Sequence, residues 1–314
     1  MSSRYSFSKL FLIAVVLQIV WGLVPSASNV VISEIPVELY IAIRWTISSL
    51  LFLGFLFFTS KWFPKMDKKT FVVMFLGILG YALASFGTLY GLKIGGVTNF
   101  ALMGALNPII TSVTAILFLR EKPGKLFYFA LPLCILGLIM LVVGKHEISS
   151  WSVAFSSSIL IIGAAVLEAT VFVFSKKLKV HFTSFQYLAI SQLAAALFMW
   201  ILQLGFFQQT SQISNLSSNG WWAAIFVSVV ACVLCYAILY WLLNYVDGHK
   251  LALFEGIHVI SAALFGWYFF NESLNTLMIF GGFVLLAGLI LGNLKSKNNK
   301  TKMEAIALEN LTSK

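Results

Sequence analysis

Residues 118–121 read FLRE at the end of a long apolar run, and residues 269–272 read FFNE at the end of another. The two are 151 residues apart (269 − 118), close to half of the 314-residue chain. The same shift lays Asn107 on His258, Tyr90 on Trp241 and Ala101 on Ala252. On either side of these marks the chain is built of apolar runs of about 20 residues, the length that crosses a bilayer as a helix. They fall at roughly 9–32, 36–59, 70–92, 97–119 and 125–144, then at 152–175, 183–204, 220–243, 250–270 and 275–294. Each half holds five, an odd number, so the second copy enters the membrane inverted. The runs are continuous rather than alternating, which favours helices over a barrel. The expected fold is an all-α integral membrane protein: ten transmembrane helices as two inverted five-helix repeats. Residues 1–148 form the first repeat, 149–295 the second, and 296–314 a cytosolic tail expected to be disordered.

Composition agrees. The chain is 60% hydrophobic and 10% charged, against about 25% charged in soluble domains. The net charge of +10 is explained by where the basic residues lie, not by nucleic acid. With the N-terminus in the cytosol, all of the 21 basic residues except Arg44, Lys93 and Lys145 fall in cytosolic connections or the tail. The positive-inside rule then places both termini in the cytosol. Without organelle signals, a bacterial inner membrane is the default location. Arg4, Lys9, an apolar run and PSASN at 25–29 also mimic a cleavable secretory signal. Cleavage there would leave nine helices, and the parity of the repeat argues against it. The cysteines Cys134, Cys232 and Cys235 lie inside spans and read as packing residues; Cys232-x-x-Cys235 has no further ligands nearby.

Several stretches are similar to one family. IVWGLVPSASN at 19–29 resembles the opening helix of the EamA family, within the drug/metabolite transporter superfamily. PVELYIAIRWTISSLLF at 36–52, with Arg44, resembles its second helix. ALMGALNPIITSVTAILFLREKP at 101–123, with Pro108 and Glu121, resembles its fourth. LCILGLIMLVVG at 133–144 resembles the fifth, and the second half repeats the design more loosely through FFNESLN at 269–275 and GGFVLLAGLILG at 281–292. The resemblance implies a ten-helix bundle around a central cavity that opens alternately to either side. It also implies export of amino acids and related metabolites. The second copy departs from the first: TSFQYLAISQL at 183–193 carries no arginine opposite Arg44. His258-Val259 stands for Asn107-Pro108, and Glu168 lies near the position of Trp21-Gly22.

Charges inside a bilayer cost about 2.5–3.5 kcal/mol or more, so each is a functional candidate. Glu168 lies about 12 Å from the cytosolic surface at 1.5 Å per residue, Glu255 about 7–10 Å, and His258 one turn further. Glu255 and His258 share a helix face. If helices six and nine line one cavity, Glu168, Glu255 and His258 form a proton-coupling group; the bland readings are a snorkelling Glu255 and a hydrogen-bonded His258. GAAVLEATVF at 163–172 is also similar to the glutamate-bearing first helix of small multidrug resistance proteins. Arg44 lies about 12 Å below the outer surface, in the other half of the bilayer from Glu168, so no direct pair is expected. It is either structural or a clamp for a substrate carboxylate. Trp21, Tyr81 and Tyr236 are the deep aromatics expected at a substrate pocket, whereas Tyr90 and Trp221-Trp222 suit packing or an interfacial edge. Asn107-Pro108 interrupts helix four and frees a carbonyl at a cavity, or simply kinks the helix. The expected substrate-binding set is therefore Trp21, Arg44, Tyr81, Asn107 and Tyr236.

No catalytic residues, metal ligands or cofactor are expected, and no phosphate-cradling loop supports nucleotide hydrolysis. The sequons at Asn215 and Asn271 matter only in a glycosylating compartment. Gly288-x-x-x-Gly292 allows a homodimer through helix ten. The expected partners are a small-molecule substrate and the lipid bilayer. The leading expectation is a secondary active exporter of small amphipathic metabolites working by alternating access. A proton-coupled multidrug antiporter for cationic aromatic compounds and a non-transporting scaffold are the rivals.

Overall fold

The helices here are apolar on all sides, as lipid demands: backbone groups are satisfied within each helix and side chains face hydrocarbon. The computed structural model describes residues 7–59, 66–104, 106–120, 123–143, 151–178, 181–270 and 276–293. Among them the long elements are all helices and no strand occurs. The first half contains α1 (Phe7–Trp21), α2 (Val24–Glu34), α3 (Val37–Phe58), α4 (Lys68–Gly77), α5 (Ala84–Gly104), α6 (Asn107–Leu119) and α7 (Lys125–Val143). The second contains α8 (Trp151–Leu178), α9 (Ser184–Leu202), α10 (Ser218–Ile225), α11 (Tyr236–Leu242), α12 (Gly248–Phe270) and α13 (Thr276–Asn293).

Among the described residues six stretches are long and apolar enough to cross a membrane: Ser8–Glu34, Val37–Phe58, Lys68–Gly95, Phe155–Lys176, Ser184–Phe207 and Ser218–Leu242. Asn107–Leu119, Lys125–Gly137 and Ile279–Gly292 are shorter apolar helices. The protein is thus a multi-pass membrane protein. Two boundaries differ from those expected. The first run is broken into α1 and α2 at Gly22–Leu23, and the break expected near residues 93–96 is absent, because α5 runs on to Gly104. Proline explains both. Pro25 and Pro108 are each the second residue of the helix they open. A proline has no N–H to give the preceding turn, so the chain breaks just ahead of it. Gly95 and Gly96 only weaken a helix, by about 1 kcal/mol each.

Side-chain caps start other helices. The Asp67 carboxylate accepts from the Thr70 amide at 2.9 Å ahead of α4. Thr183 and Gln186 form a reciprocal capping box ahead of α9. Ser217 Oγ accepts from Gly220 N at 3.0 Å ahead of α10. Ser217 in turn donates through N and Oγ to the Glu34 carboxylate at 2.9 and 2.7 Å, tying α2 to α10.

Among the described residues two helices carry internal π segments, Ile78–Leu83 between α4 and α5 and Phe226–Cys235 between α10 and α11, and α9 ends in a third, Gln203–Phe207. A π segment displaces the regular backbone ladder and releases carbonyls. The Tyr81 carbonyl accepts from Trp45 Nε1 at 2.7 Å and from Ser85 Oγ. The Cys232 carbonyl accepts from Ser48 Oγ at 3.1 Å and Gln192 Nε2 at 3.2 Å. Tyr81 and Cys232 are 151 residues apart (232 − 81).

The helices α7 and α13 pack backbone against backbone. A Cβ on Gly137 would strike Gly281 O and the Leu285 backbone; one on Gly288 would strike Ala130 O and Cys134. The thiol of Cys134 reaches the Leu285 carbonyl at 3.9 Å. Only glycine permits so close an approach. Helix α5 lies along α8, with Ser157 Oγ donating to Gly91 O at 2.7 Å, and α6 returns along α8, with Phe118 and Phe174 5.8 Å apart. Lys69 meets His181 at 3.0 Å and Phe127 meets His249 at 4.9 Å. Lys9, Lys69, Arg120, Lys125, Lys176 and Lys250 thereby gather at one end of the bundle, the basic end.

Candidate functional site

A cavity of about 230 Å³ opens where the broken helices meet the two internal π segments. This is somewhat below the range for ligand pockets, about 300–1,000 Å³, and suits a small solute. The structure brings Trp21, Arg44, Tyr81, Asn107, Glu168, Tyr236, Glu255 and His258 together on its wall. Their spread over seven helices explains why sequence spacing could not place them side by side.

Arg44 projects from α3. One terminal nitrogen donates to Ser85 Oγ at 2.6 Å, and the guanidinium lies 4.5 Å from the Trp45 ring centre and 5.7 Å from that of Tyr40. Ser85 passes its own proton to the carbonyl that the first π segment frees. Aromatic faces and a hydroxyl thus hold the charge. Its Nε–H has no partner, and Arg44 makes no ion pair among the described residues. Glu168 comes from α8 and lies within electrostatic range of Arg44. Its Oε1 is 3.5 Å from the Thr88 hydroxyl, which gives its proton to the Ala84 carbonyl at 2.8 Å. Glu255, on α12, is hydrogen-bonded by Thr111 and is within electrostatic range of Glu168. His258 follows one turn along. The buried Oδ1 of Asn107 has no partner among the described residues.

Aromatic rings form the apolar walls. Trp21 meets Tyr236 edge-on at 5.4 Å, Tyr81 meets Tyr236 at 5.4 Å, and Trp45 tilts onto Tyr81 at 4.8 Å. The hydroxyls of Tyr81 and Tyr240 hydrogen-bond at 3.0 Å, and Tyr240 stacks on Tyr187 at 5.3 Å. Toward the basic end the wall gives way to a closed cluster: Leu10, Ala14, Leu17, Leu242, Leu251 and Phe254. Toward the opposite end, the Tyr90 hydroxyl donates to Glu38, and Tyr90 stacks on Phe86 at 5.6 Å.

Some lining residues were not singled out from the sequence. Gln18, Thr88 and Thr111 line the cavity, and Ser85 and Trp45 hold Arg44. Gln18 is a polar residue inside an apolar run one turn before Trp21, and Thr111 is one turn after Asn107; both were visible by helical spacing. Ser85 carries no such signal, since its part depends on the π segment. Cys134, Cys232 and Cys235 are free and buried. Glu121 and Asn271 lie outside the described residues.

The sequence pattern of the EamA-like transporter family matches residues 8–143 and again residues 155–294. The chain belongs to the EamA-like transporter family. Two relatives of this EamA-like chain come from Bacillus subtilis strain 168. "Uncharacterized transporter YetK" is 24% identical over 273 residues, covering 86% of this chain and 82% of that protein. "Uncharacterized transporter YoaV" is 21% identical over 284 residues, covering 90% and 96%. A solved crystal structure matches with a TM-score of 0.75 at 14% identity, over 92% of this chain and 99% of that one. At that identity it speaks for the EamA-like chain's fold alone.

Proposed function

We propose that this protein is a secondary active transporter that exports small amphipathic solutes carrying a carboxylate and an ammonium group, such as amino acids. It works by alternating access between two inverted five-helix halves with both termini in the cytosol of a bacterial cell. The observation that carries the reading is the cavity, which sets an Arg44 guanidinium without an ion pair and the Glu168 carboxylate on one wall system among aromatic rings. A carboxylate bound at Arg44 gains charge-assisted hydrogen bonds. An ammonium bound at Glu168 does the same, and the rings of Trp21, Tyr81 and Tyr236 cover the apolar remainder.

Ten spans and an inverted repeat are part of this proposal. The two family matches, each spanning about half the chain, support it. So do the paired π segments, whose freed carbonyls stand at Tyr81 and Cys232, and the Gly137 and Gly288 contacts, also 151 residues apart (288 − 137). Helices α7 and α13 then flank the axis that relates the halves, and the halves rock about it. Coupling to protons runs through Glu168 with Glu255 and His258, the titratable carboxylates and imidazole of the cavity wall.

A second reading, a multidrug antiporter for cationic aromatic compounds, is favoured by the two carboxylates among aromatic rings. Vesicles holding purified protein separate the two. The amino-acid reading expects zwitterionic solutes to be carried in response to an imposed pH gradient, and Arg44→Gln to abolish this. Carriage of quaternary ammonium compounds alone, insensitive to Arg44→Gln, would establish the other. A homodimer through α13 would use its outer face, Ile279, Phe280, Phe283 and Ile290, because Gly288 and Gly292 already pack against α7 and α12.

A further inference from the structure

The cavity wall holds one cationic and two anionic side chains, and no two of them form an ion pair. Their order in space is informative. Electrostatic contact runs from Arg44 to Glu168 and from Glu168 to Glu255, so Glu168 stands between the others. Depth agrees. Arg44 is about 10 Å into α3 from the end opposite the basic end, and Glu255 about 10 Å into α12 from the basic end itself. In a hydrocarbon core of about 30 Å, this separates them by about 10 Å along the membrane normal. A zwitterion with an apolar side chain complements Arg44 and one carboxylate and leaves the other unmatched.

We propose that the preferred substrate is a diamino monocarboxylic acid of the lysine and ornithine type. Its carboxylate sits on Arg44, its α-ammonium on Glu168, and its terminal ammonium on Glu255 beside His258 and Thr111. The carboxylate and α-ammonium leave the same carbon, which suits an Arg44 and a Glu168 within electrostatic range of each other. A chain of three or four methylenes then carries the second ammonium about 5–6 Å further at bond lengths near 1.5 Å, toward Glu255. Side chains reaching from Arg44 and Glu255 span the rest. Its methylenes run past Trp21, Tyr236 and Phe172, which also line the cavity. The complex then carries matched charges inside a membrane, where an unmatched carboxylate is costly. The inference rests on the amino-acid reading above and deepens it.

The test uses the full chain in proteoliposomes, with competition against labelled L-lysine and counterflow of each solute. L-Lysine and L-norleucine have the same backbone length and differ in the terminal ammonium. The expected result is at least tenfold preference for lysine and ornithine over norleucine. Cadaverine, which lacks the carboxylate, should compete at least tenfold more weakly than lysine. Glu255→Gln should remove the preference, so that lysine and norleucine stabilise the variant to the same degree. Equal transport of lysine and norleucine by the unaltered protein overturns the diamino assignment and leaves the amino-acid reading standing. Transport of no amino acid overturns both. Thermal stabilisation of unaltered protein by lysine over norleucine reads the same preference without any variant, and equal stabilisation by the two overturns it.

Discussion

Arg44 shows how a single residue is made useful by neighbours remote in sequence. A guanidinium in a membrane needs support, and it finds this in Ser85 and two rings rather than in a carboxylate. Its charge remains available to a solute. Arg44→Lys should not rescue it, because an ammonium lacks the planar fork that grips a carboxylate while stacking on Trp45. Losing hydrogen bonds to a charged group costs about 1.5–3 kcal/mol, so both Arg44→Lys and Arg44→Gln should weaken zwitterion binding by tenfold or more, measured by thermal shift or counterflow. Glu168→Gln should abolish the response of transport to an imposed pH gradient and weaken counterflow of zwitterionic solutes by about tenfold or more; a pH response that survives would take Glu168 out of coupling. Deep charges in apolar runs were legible from the chain itself, because each carries an insertion cost that selection has to justify. Thr88 and Ser85 were not, because hydroxyls cost little to bury in a helix, where they donate to the preceding turn.

At the scale of the element, prolines and glycines do the most. Pro25 and Pro108 decide where the helices beside the cavity break, and the break, not the kink alone, sets Asn107 at the wall. The π segments were not legible, since nothing in ILGYAL or FVSVVACVLC distinguishes them from ordinary helix. Tertiary donors, Trp45 on one side and Ser48 with Gln192 on the other, bond to carbonyls within them. The contact of α7 with α13 leads to a stability prediction. Gly137→Leu and Gly288→Leu should each lower the melting temperature in detergent, because overpacking of this kind costs about 1–3 kcal/mol. Gly54→Leu, where open space surrounds the site, should not. The Asp67 cap is an exposed feature outside the spans. Its hydrogen bond to the Thr70 amide holds the carboxyl below its ordinary value of 3.8. A lowered folded-state value means that its contribution is fully present above that pH and is lost as pH falls through the folded value. Acid should therefore fray the start of α4, and Asp67→Ala should remove that sensitivity, read by hydrogen exchange at Thr70.

At the scale of the whole molecule, the proposed inverted arrangement predicts the side of each connection. A cysteine label accepted at residues 122–124 should react from the cytosol, and one at residues 271–275 from outside. Both reacting from one side would end the inverted reading and alternating access with it. The wall of the cavity draws on both halves: Trp21, Arg44, Tyr81 and Asn107 from one, Glu168, Tyr236, Glu255 and His258 from the other. In the proposed mechanism a solute bound there contacts both, which would couple its occupancy to their movement. In the proposed mechanism, the leucine and phenylalanine cluster that packs between the cavity and the basic end is the part that opens for access from that side.

Membrane residence, the helical class and the family followed from the chain alone. Hydrophobic length, the distribution of lysines and the repeated motif are local or periodic quantities that need no contacts to be read. What only the tertiary structure decided was which charges share a chamber, in what order they stand, and where the helices break or bulge. Those depend on the rotation of each helix about its axis. In lipid that rotation leaves little trace in the sequence, because every face is apolar and only packing between helices distinguishes the inside from the outside.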